Sequence, residues 1–271
     1  IGFYDNCNGC LESGMIDGEF VCIYHADDIY QKDIVAKEVE FLTNNPGAGA
    51  VFSMGNIIDR HDNIIGAHKL PKELHDKNIY GFGEIFKNIL QHGNTFLLTP
   101  TFMARKNTFE TVGLFANEGQ FGTSADLDMW LKMLEKYDIG VLHENLIKRR
   151  EDGQGKSYNS LRTEKADFFK VMDYYLTEKN YITLANKKDL RQYEYLKDFD
   201  NTLRAMNFLI KGEVGQAKKI INRSFSVDFF RAFFENMKVL RVKVLALKII
   251  LFIGINLGLG KPLAKALGKT I

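Results

Sequence analysis

Residues 18–30, GEFVCIYHADDIY, carry the feature on which the fold of this chain depends. The apolar run 20–24 predicts a buried strand, because a helix usually needs about 10–12 residues. Asp27 and Asp28 follow this strand at once, and open α/β sheets bind ligands at the carboxyl ends of their strands. Carboxylate oxygens suit Mg²⁺ or Mn²⁺ bound together with a phosphorylated substrate. Capping of the following helix explains the pair equally well at this stage, since Asp is a favoured N-cap residue.

The charge of the chain is unevenly distributed. The 271 residues are 45% hydrophobic and 26% charged, which is typical of one large globular domain or of a domain with an appendage. The net charge is +2, but the segment from Asn201 onward has 13 Lys or Arg against three Asp or Glu. That segment therefore carries +10 and the rest of the chain −8. A basic tail on an acidic body predicts an anionic partner for the tail, either a membrane surface or nucleic acid.

The cysteines do not predict a metal site. Cys7 and Cys10 have C-x-x-C spacing, but no second pair follows to complete four zinc ligands. Reduced thiols of a cytoplasmic protein are the preferred interpretation.

The order of elements predicts an α/β body over residues 1–158 and a helical extension over 159–271. Strands alternate with helices in the first part, which is typical of a layered α/β fold. Its predicted strands after the first are 48–54, 95–98, 139–142 and 146–150, with a hairpin joining 57–58 to 64–65. Its predicted helices are 29–45, 82–91, 106–112 and 124–137. The extension is predicted to hold helices at 161–178, 188–209, 214–222 and 227–251.

Residues 242–260 leave three interpretations open: packing as a last helix, lying in a bilayer interface, and spanning the bilayer. Spanning is disfavoured because Lys243 and Lys248 interrupt the run, and a charge at the centre of a span costs about 2.5–3.5 kcal/mol. The excess of Lys and Arg slightly favours the interface over packing. Five phenylalanines cluster between residues 225 and 234, which fits packing or lipid better than base stacking, so no nucleic-acid partner is predicted.

The motifs occur in a recognisable order. GEFVCIYHADD (18–28) is followed by PTFMAR (100–105), FETVGLF (109–115) and SADLDMWLKM (124–133), and then by a strand that ends in arginine. From about residue 6 to residue 157 this order resembles family 2 of the glycosyltransferases, inverting enzymes of the GT-A fold.

The resemblance implies a Rossmann-related mixed sheet flanked by helices, followed by an all-helical extension. It implies transfer of a sugar, with inversion, from a nucleotide-diphosphate sugar to a glycan or lipid-linked acceptor, as in cell-wall or polysaccharide biosynthesis. A hexosyltransferase in the cytoplasm, peripheral on the inner face of the membrane, is expected. The nucleoside-binding half of the family is expected to occupy roughly 80 residues before residue 1. The fragment alone is therefore not expected to be fully active.

The resemblance also implies roles for individual residues. Asp27 matches the main ligand to Mg²⁺ or Mn²⁺, with Asp28 beside it, and His25 stands where the family has another aspartate. His25 is expected to ligate the metal or to hydrogen-bond the donor. Asp152 replaces a histidine that closes the metal site in some members. Asp126 matches the catalytic base, although helix capping by this residue is the competing interpretation.

The remaining matches concern the two substrates. Arg150 is expected to contact the donor phosphates, while Pro100, Thr101 and Arg105 match a segment near the acceptor. Asp128 is interpreted as structural or as a second acceptor contact. Departures from the family pattern at His25, Ala125 and Asp152 leave another hypothesis open: a catalytically degenerate GT-A-fold module that binds through its basic helices.

Overall fold

The computed structural model describes residues 2–151, 161–222 and 226–268. The chain forms two compact units. The sheet unit falls within Ile1–Asp152 and Lys170–Leu184, and the helical unit within Gly153–Phe169 and Ala185–Ile271.

The sheet unit is built on a seven-stranded mixed sheet. Its strands are β1 (Phe20–Ile23), β2 (Ile29–Tyr30), β3 (Ala48–Ile58), β4 (Ile64–Ala67), β5 (Ile79–Tyr80), β6 (Phe102–Arg105) and β7 (Asp138–Arg150). The order is β1-β6-β3-β7-β2, with β4 paired to β3 and β5 paired to β7. β3 and β7 run parallel, and the other pairs are antiparallel.

β3 is the central strand because it is apolar on both faces. Residues 48–55 are buried in succession, as expected for a strand covered on both sides. The hairpin predicted between 57–58 and 64–65 is confirmed, since Ile58 pairs with Ile64 across the β3–β4 turn.

Six helices flank this sheet: α1 (Phe3–Glu12), α2 (Ile34–Asn44), α3 (Phe82–His92), α4 (Lys106–Val112), α5 (Glu118–Phe121) and α6 (Ala125–Leu134). α6 is the most deeply buried of them. Its Trp130 packs on the rings of Phe102 and Phe52, with ring centroids 4.2 and 5.1 Å away. The predicted mixed sheet flanked by helices is thus present.

Three predictions of local structure were wrong. Residues 95–98 form a turn instead of a strand, and the strand begins at Phe102, after a 3-10 turn over Thr99–Thr101 that contains Pro100. The strands predicted at 139–142 and 146–150 are one strand, β7. Residues 29–30, predicted to start a helix, pair with β7 as β2.

The helical unit contains α8 (Lys187–Ile210), α9 (Val214–Ile221), α10 (Val227–Glu235), α11 (Val239–Asn256) and α12 (Gly260–Gly268), while α7 (Asp167–Thr177) is divided between the two units. The core of the helical unit includes Leu209, Ile221, Leu251 and Ile255. The single helix predicted over 227–251 was wrong: α10 ends at Glu235 and α11 starts at Val239. Among the described residues, no helix has the length and apolar character needed to cross a membrane.

Candidate active site

Asp126 lies in the first turn of α6, with its carboxylate held on both oxygens. Thr99 donates its hydroxyl to Oδ2 at 2.6 Å, and the backbone N–H of Leu127 donates to Oδ1 at 2.7 Å. Burial raises the pKa of Asp126, and these two hydrogen bonds partly offset the rise because they favour the ionised form. A buried carboxylate with a raised pKa beside a cleft has the properties of a general base.

Tyr4 of α1 lies beside the same carboxylate. Its hydroxyl donates to the backbone carbonyl of Thr123 at 3.2 Å. Burial, together with the charge of Asp126, raises the pKa of Tyr4 well above its usual range. Tyr4 therefore stays protonated and presents a hydroxyl next to the base.

A cleft of about 750 Å³ opens in front of Asp126. Tyr4, His25, Pro100 and Asp126 contribute to its walls, as do the cations Lys69 and Arg149. Its volume is in the range of pockets that bind small molecules and cofactors, about 300–1,000 Å³. The cleft therefore brings two carboxylates, those of Asp126 and Glu151, two imidazoles and two positive charges onto one concave surface.

His25, Asp27 and Asp28 cluster in the loop that follows β1. Each offers one metal-ligand atom, and these atoms all lie within 4.8 Å of one another. The loop is fixed at two points: the backbone N–H of His25 donates to the hydroxyl of Tyr30 at 2.6 Å, and that of Arg150 donates to Oδ1 of Asp28 at 2.8 Å.

The cluster has the chemistry of a divalent-metal site. The buried atoms His25 Nε2 and Asp28 Oδ2 have no hydrogen-bond partner among the described residues. Buried polar atoms without partners are uncommon and call for an explanation such as an ion. Two carboxylates and an imidazole suit Mn²⁺ and, through the carboxylates, Mg²⁺. The residues present thus fit the cation.

Of the two residues predicted to contact the donor phosphates and to close the metal site, Arg150 does not line the cleft. Asp152 lies outside the described residues. The Arg150 guanidinium donates to the backbone carbonyls of Asp27 and Asp59 at 3.0 and 2.9 Å and pairs with the Asp62 carboxylate at 2.6 Å. Its neighbour Arg149, which the sequence did not single out, lines the cleft instead.

Of the predicted acceptor residues, Pro100 lines the cleft, and three others have side chains bound elsewhere. Thr101 is buried and donates to the backbone carbonyl of Ser53 at 3.1 Å. Arg105 pairs with Glu19 at 3.2 Å at the β1 edge of the sheet. Asp128 is buried, with Lys132 at 3.2 Å and the hydroxyl of Tyr175 at 3.1 Å.

Sequence reasoning missed Glu38, a fully buried carboxyl that is linked through Tyr24 to the strand before the His25–Asp28 loop. Tyr24 donates to its Oε2 at 2.9 Å, and burial raises the pKa of Glu38 to about 8. The Tyr24 ring stacks on Tyr30, which in turn accepts the hydrogen bond from His25. Glu38 thus helps to hold Tyr24 and Tyr30 in place beside the cluster of His25, Asp27 and Asp28. In the sequence it is only one polar position of an amphipathic helix.

No protein-family model matches the chain, and no curated protein matches it either. Two similar solved structures are of S. aureus TarS. The crystal structure of TarS is 16% identical, with a TM-score of 0.45 over 93% of this chain and 42% of TarS. TarS 1–349 in complex with UDP-GlcNAc is 12% identical, with a TM-score of 0.38 over 97% of this chain and 70% of the other. This chain thus spans 42% of the length of the first structure.

Proposed function

We propose that this chain is part of a metal-dependent glycosyltransferase that moves a sugar, with inversion, from a nucleotide-diphosphate sugar to a hydroxyl of a glycan or lipid-linked acceptor. One observation carries the proposal. Asp126 and His25 line the same cleft, and the Asp27 and Asp28 carboxylates lie beside His25. A candidate base and a candidate cation site thus lie at one cleft. The order of the motifs in the sequence supports the same pair of roles.

Asp126 is proposed to take the proton from the acceptor hydroxyl. An inverting transfer needs one base on the acceptor side, opposite the leaving group. Thr99 and the Leu127 N–H hold the two carboxylate oxygens and so fix the orientation of the base. The Tyr4 hydroxyl, which donates to the Thr123 carbonyl, presents its oxygen beside this carboxylate and can accept a hydrogen bond from the bound acceptor.

The donor is proposed to bind at the other wall of the cleft. Lys69 and Arg149 supply positive charge that attracts a diphosphate. His25, Asp27 and Asp28 would hold Mg²⁺ or Mn²⁺, which when bound neutralises charge on a leaving diphosphate. The Tyr30 hydroxyl and the Arg150 backbone N–H keep the cluster in place.

The base assignment is tested with Asp126→Asn in the natural full-length protein. Release of nucleoside diphosphate from a panel of nucleotide-diphosphate sugars, with Mn²⁺ and a glycan acceptor mixture, measures turnover. We expect kcat to fall about 10²–10⁴-fold, the usual contribution of a general base. Asp76→Asn, at an exposed aspartate that does not line the cleft, is the control and should retain activity. Turnover that persists in Asp126→Asn would contradict the assignment.

The cation site is tested separately by thermal unfolding with Mn²⁺ or Mg²⁺ alone. A ligand at one hundred times its Kd stabilises the folded state by about 2.7 kcal/mol. We expect stabilisation that is lost in Asp27→Asn and Asp28→Asn and kept in Asp126→Asn. Cation and UDP binding without turnover on any donor would favour the rival hypothesis of a catalytically degenerate binding module.

A further inference from the structure

α11 has one buried face and one largely apolar face that is exposed to solvent. Arg241, Val244, Lys248, Leu251 and Ile255 are buried. At 100° per residue these five positions lie on one side of the helix. The opposite side carries the set that we call the outer face of α11: Val239, Val242, Lys243, Ala246, Ile249, Ile250 and Ile253.

The outer face is apolar and open to solvent. Val239 is 74% exposed, Ile250 52% and Ile253 50%. It continues into a groove of about 460 Å³ that is shared with the start of α12 and includes Leu259 and Pro262. Contiguous exposed apolar surface of this kind usually marks a place of interaction, because its hydration is unfavourable.

The charge of the segment that carries this face is of one sign. After Glu235 the sequence contains seven Lys or Arg and no Asp or Glu. Lys238, Lys243, Lys261 and Lys265 are exposed in the described structure. Their ammonium groups are mobile on long stems and can reach beyond an apolar contact.

This charge distinguishes between the candidate occupants. In a symmetric pair of copies the same surface meets itself, so Lys and Arg would face Lys and Arg with no carboxylate between them. An anionic bilayer supplies both of the missing complements: acyl chains for the isoleucines and headgroup phosphates for the lysines.

We propose that the outer face of α11 docks the chain on an anionic membrane surface. The helix lies in the interfacial region, with Ile249, Ile250 and Ile253 toward the acyl chains and the Lys243 ammonium reaching the headgroup phosphates. Its buried face keeps the packing described above, so docking requires no unfolding of the helical unit. The inference is independent of the proposed transferase chemistry.

Vesicle co-sedimentation of the full chain tests the proposal. We expect binding to phosphatidylcholine vesicles that contain phosphatidylglycerol, weaker binding to phosphatidylcholine alone, and weakening of the former by salt. Ile250→Ser with Ile253→Ser should lower the affinity at least about tenfold. Lys243→Glu should lower it by about tenfold on anionic vesicles only.

Matched controls come from the sheet unit. Ile64 and Ile65 are 59% and 57% exposed, so Ile64→Ser with Ile65→Ser removes as much exposed apolar surface outside α11. Lys72→Glu is the control for charge. Both controls should bind like the parent chain. Circular dichroism checks that every variant is folded.

Three results would overturn the proposal. One is the absence of vesicle binding, and another is binding to neutral and anionic vesicles with equal affinity. The third is concentration-dependent dimerisation without lipid that Ile250→Ser with Ile253→Ser abolishes, because a second copy would then cover the face.

Discussion

At Asp126 two hydrogen bonds oppose the effect of burial on a single carboxyl. Burial favours the neutral acid and raises the pKa of Asp126, while the Thr99 hydroxyl and the Leu127 N–H favour the carboxylate. A base must be ionised, so activity is lost as pH falls through this pKa. The acid limb of the kcat/KM profile should therefore lie above the usual range of an aspartate, about 4.

Thr99→Val removes the hydroxyl donor and keeps the shape of the side chain. The ionised form of Asp126 loses a partner, so its pKa rises further and the acid limb moves to higher pH. Activity on the alkaline plateau should largely return, which a loss of folding would not allow. Thr111→Val, in which a hydroxyl is removed far from the cleft, should leave the profile in place. If the acid limb of the kcat/KM profile has the same pKa in Thr99→Val as in the parent chain, a group other than Asp126 controls that limb.

The site was predictable from sequence only in part, because its partners come from distant segments. Asp126, Asp27 and Asp28 were picked out by motif order and by their places after a strand or at a helix start. Thr99 is 27 residues away from Asp126, and the Tyr4 hydroxyl reaches a carbonyl 119 residues away. No local sequence pattern predicts such contacts, because the partner residues come together only when the sheet unit folds.

At the scale of elements, β3 and β7 show where pattern reasoning succeeds and where it stops. The apolar run at 48–54 correctly predicts a strand, which in the structure is buried and central. The polar His143, Glu144 and Asn145 predict a break between two strands. In the structure Leu142 pairs with Ser53 and Asn145 pairs with Met54, so the intervening residues bulge out and the strand continues. A bulge depends on the partner strand, which a single segment does not reveal.

Gly55 lies on β3 next to this irregularity and leaves no room for a side chain. An added Cβ would come within 2.4 Å of Ile147 Cγ2 and 3.1 Å of the Ile147 carbonyl oxygen. Ile147 is buried and β-branched, so it moves little. Gly55→Ala should destabilise the chain by about 2 kcal/mol, as overpacking does, measured by urea unfolding.

Gly66, on the neighbouring strand β4, is the matched control. There the added Cβ would meet Ile57 Cδ1 at 3.5 Å, an ordinary contact. Gly66→Ala should change the free energy of unfolding by less than about 0.5 kcal/mol. Equal effects of the two substitutions would contradict the close approach of β3 and β7 at Gly55.

At the scale of the whole molecule, each unit has a fully buried Glu or Lys whose pKa is displaced to about 8. Burial raises the pKa of Glu38 in the sheet unit from 4.5 to about 8. Burial lowers the pKa of Lys248 in the helical unit from 10.5 to about 8, although Asp198 lies 3.8 Å from its Nζ and the Phe229 ring 3.6 Å. In both cases the neutral form is the one that the folded state favours.

The two groups should give stability opposite dependences on pH. Between pH 4.5 and about 8 folded Glu38 holds a proton that the unfolded chain has lost, so the free energy of unfolding falls as pH rises. Between about 8 and 10.5 unfolded Lys248 holds a proton that the folded chain has lost, so the free energy rises with pH. Each slope is at most about 1.4 kcal/mol per pH unit.

Two substitutions separate these contributions. Glu38→Gln should remove the fall at neutral pH, and Lys248→Met should remove the rise at alkaline pH. Trp130, the only tryptophan, is buried in the sheet unit, so its fluorescence follows that unit during urea unfolding. Far-UV circular dichroism follows the helices of both units. The fluorescence transition should respond to Glu38→Gln, whereas Lys248→Met should change the part of the helical signal that does not follow the fluorescence, because each group is buried in its own unit. A pH dependence of stability from pH 5 to pH 8 that is the same in Glu38→Gln and in the parent chain would contradict the burial of an ionisable Glu38, since the substitution would then remove no difference in bound protons.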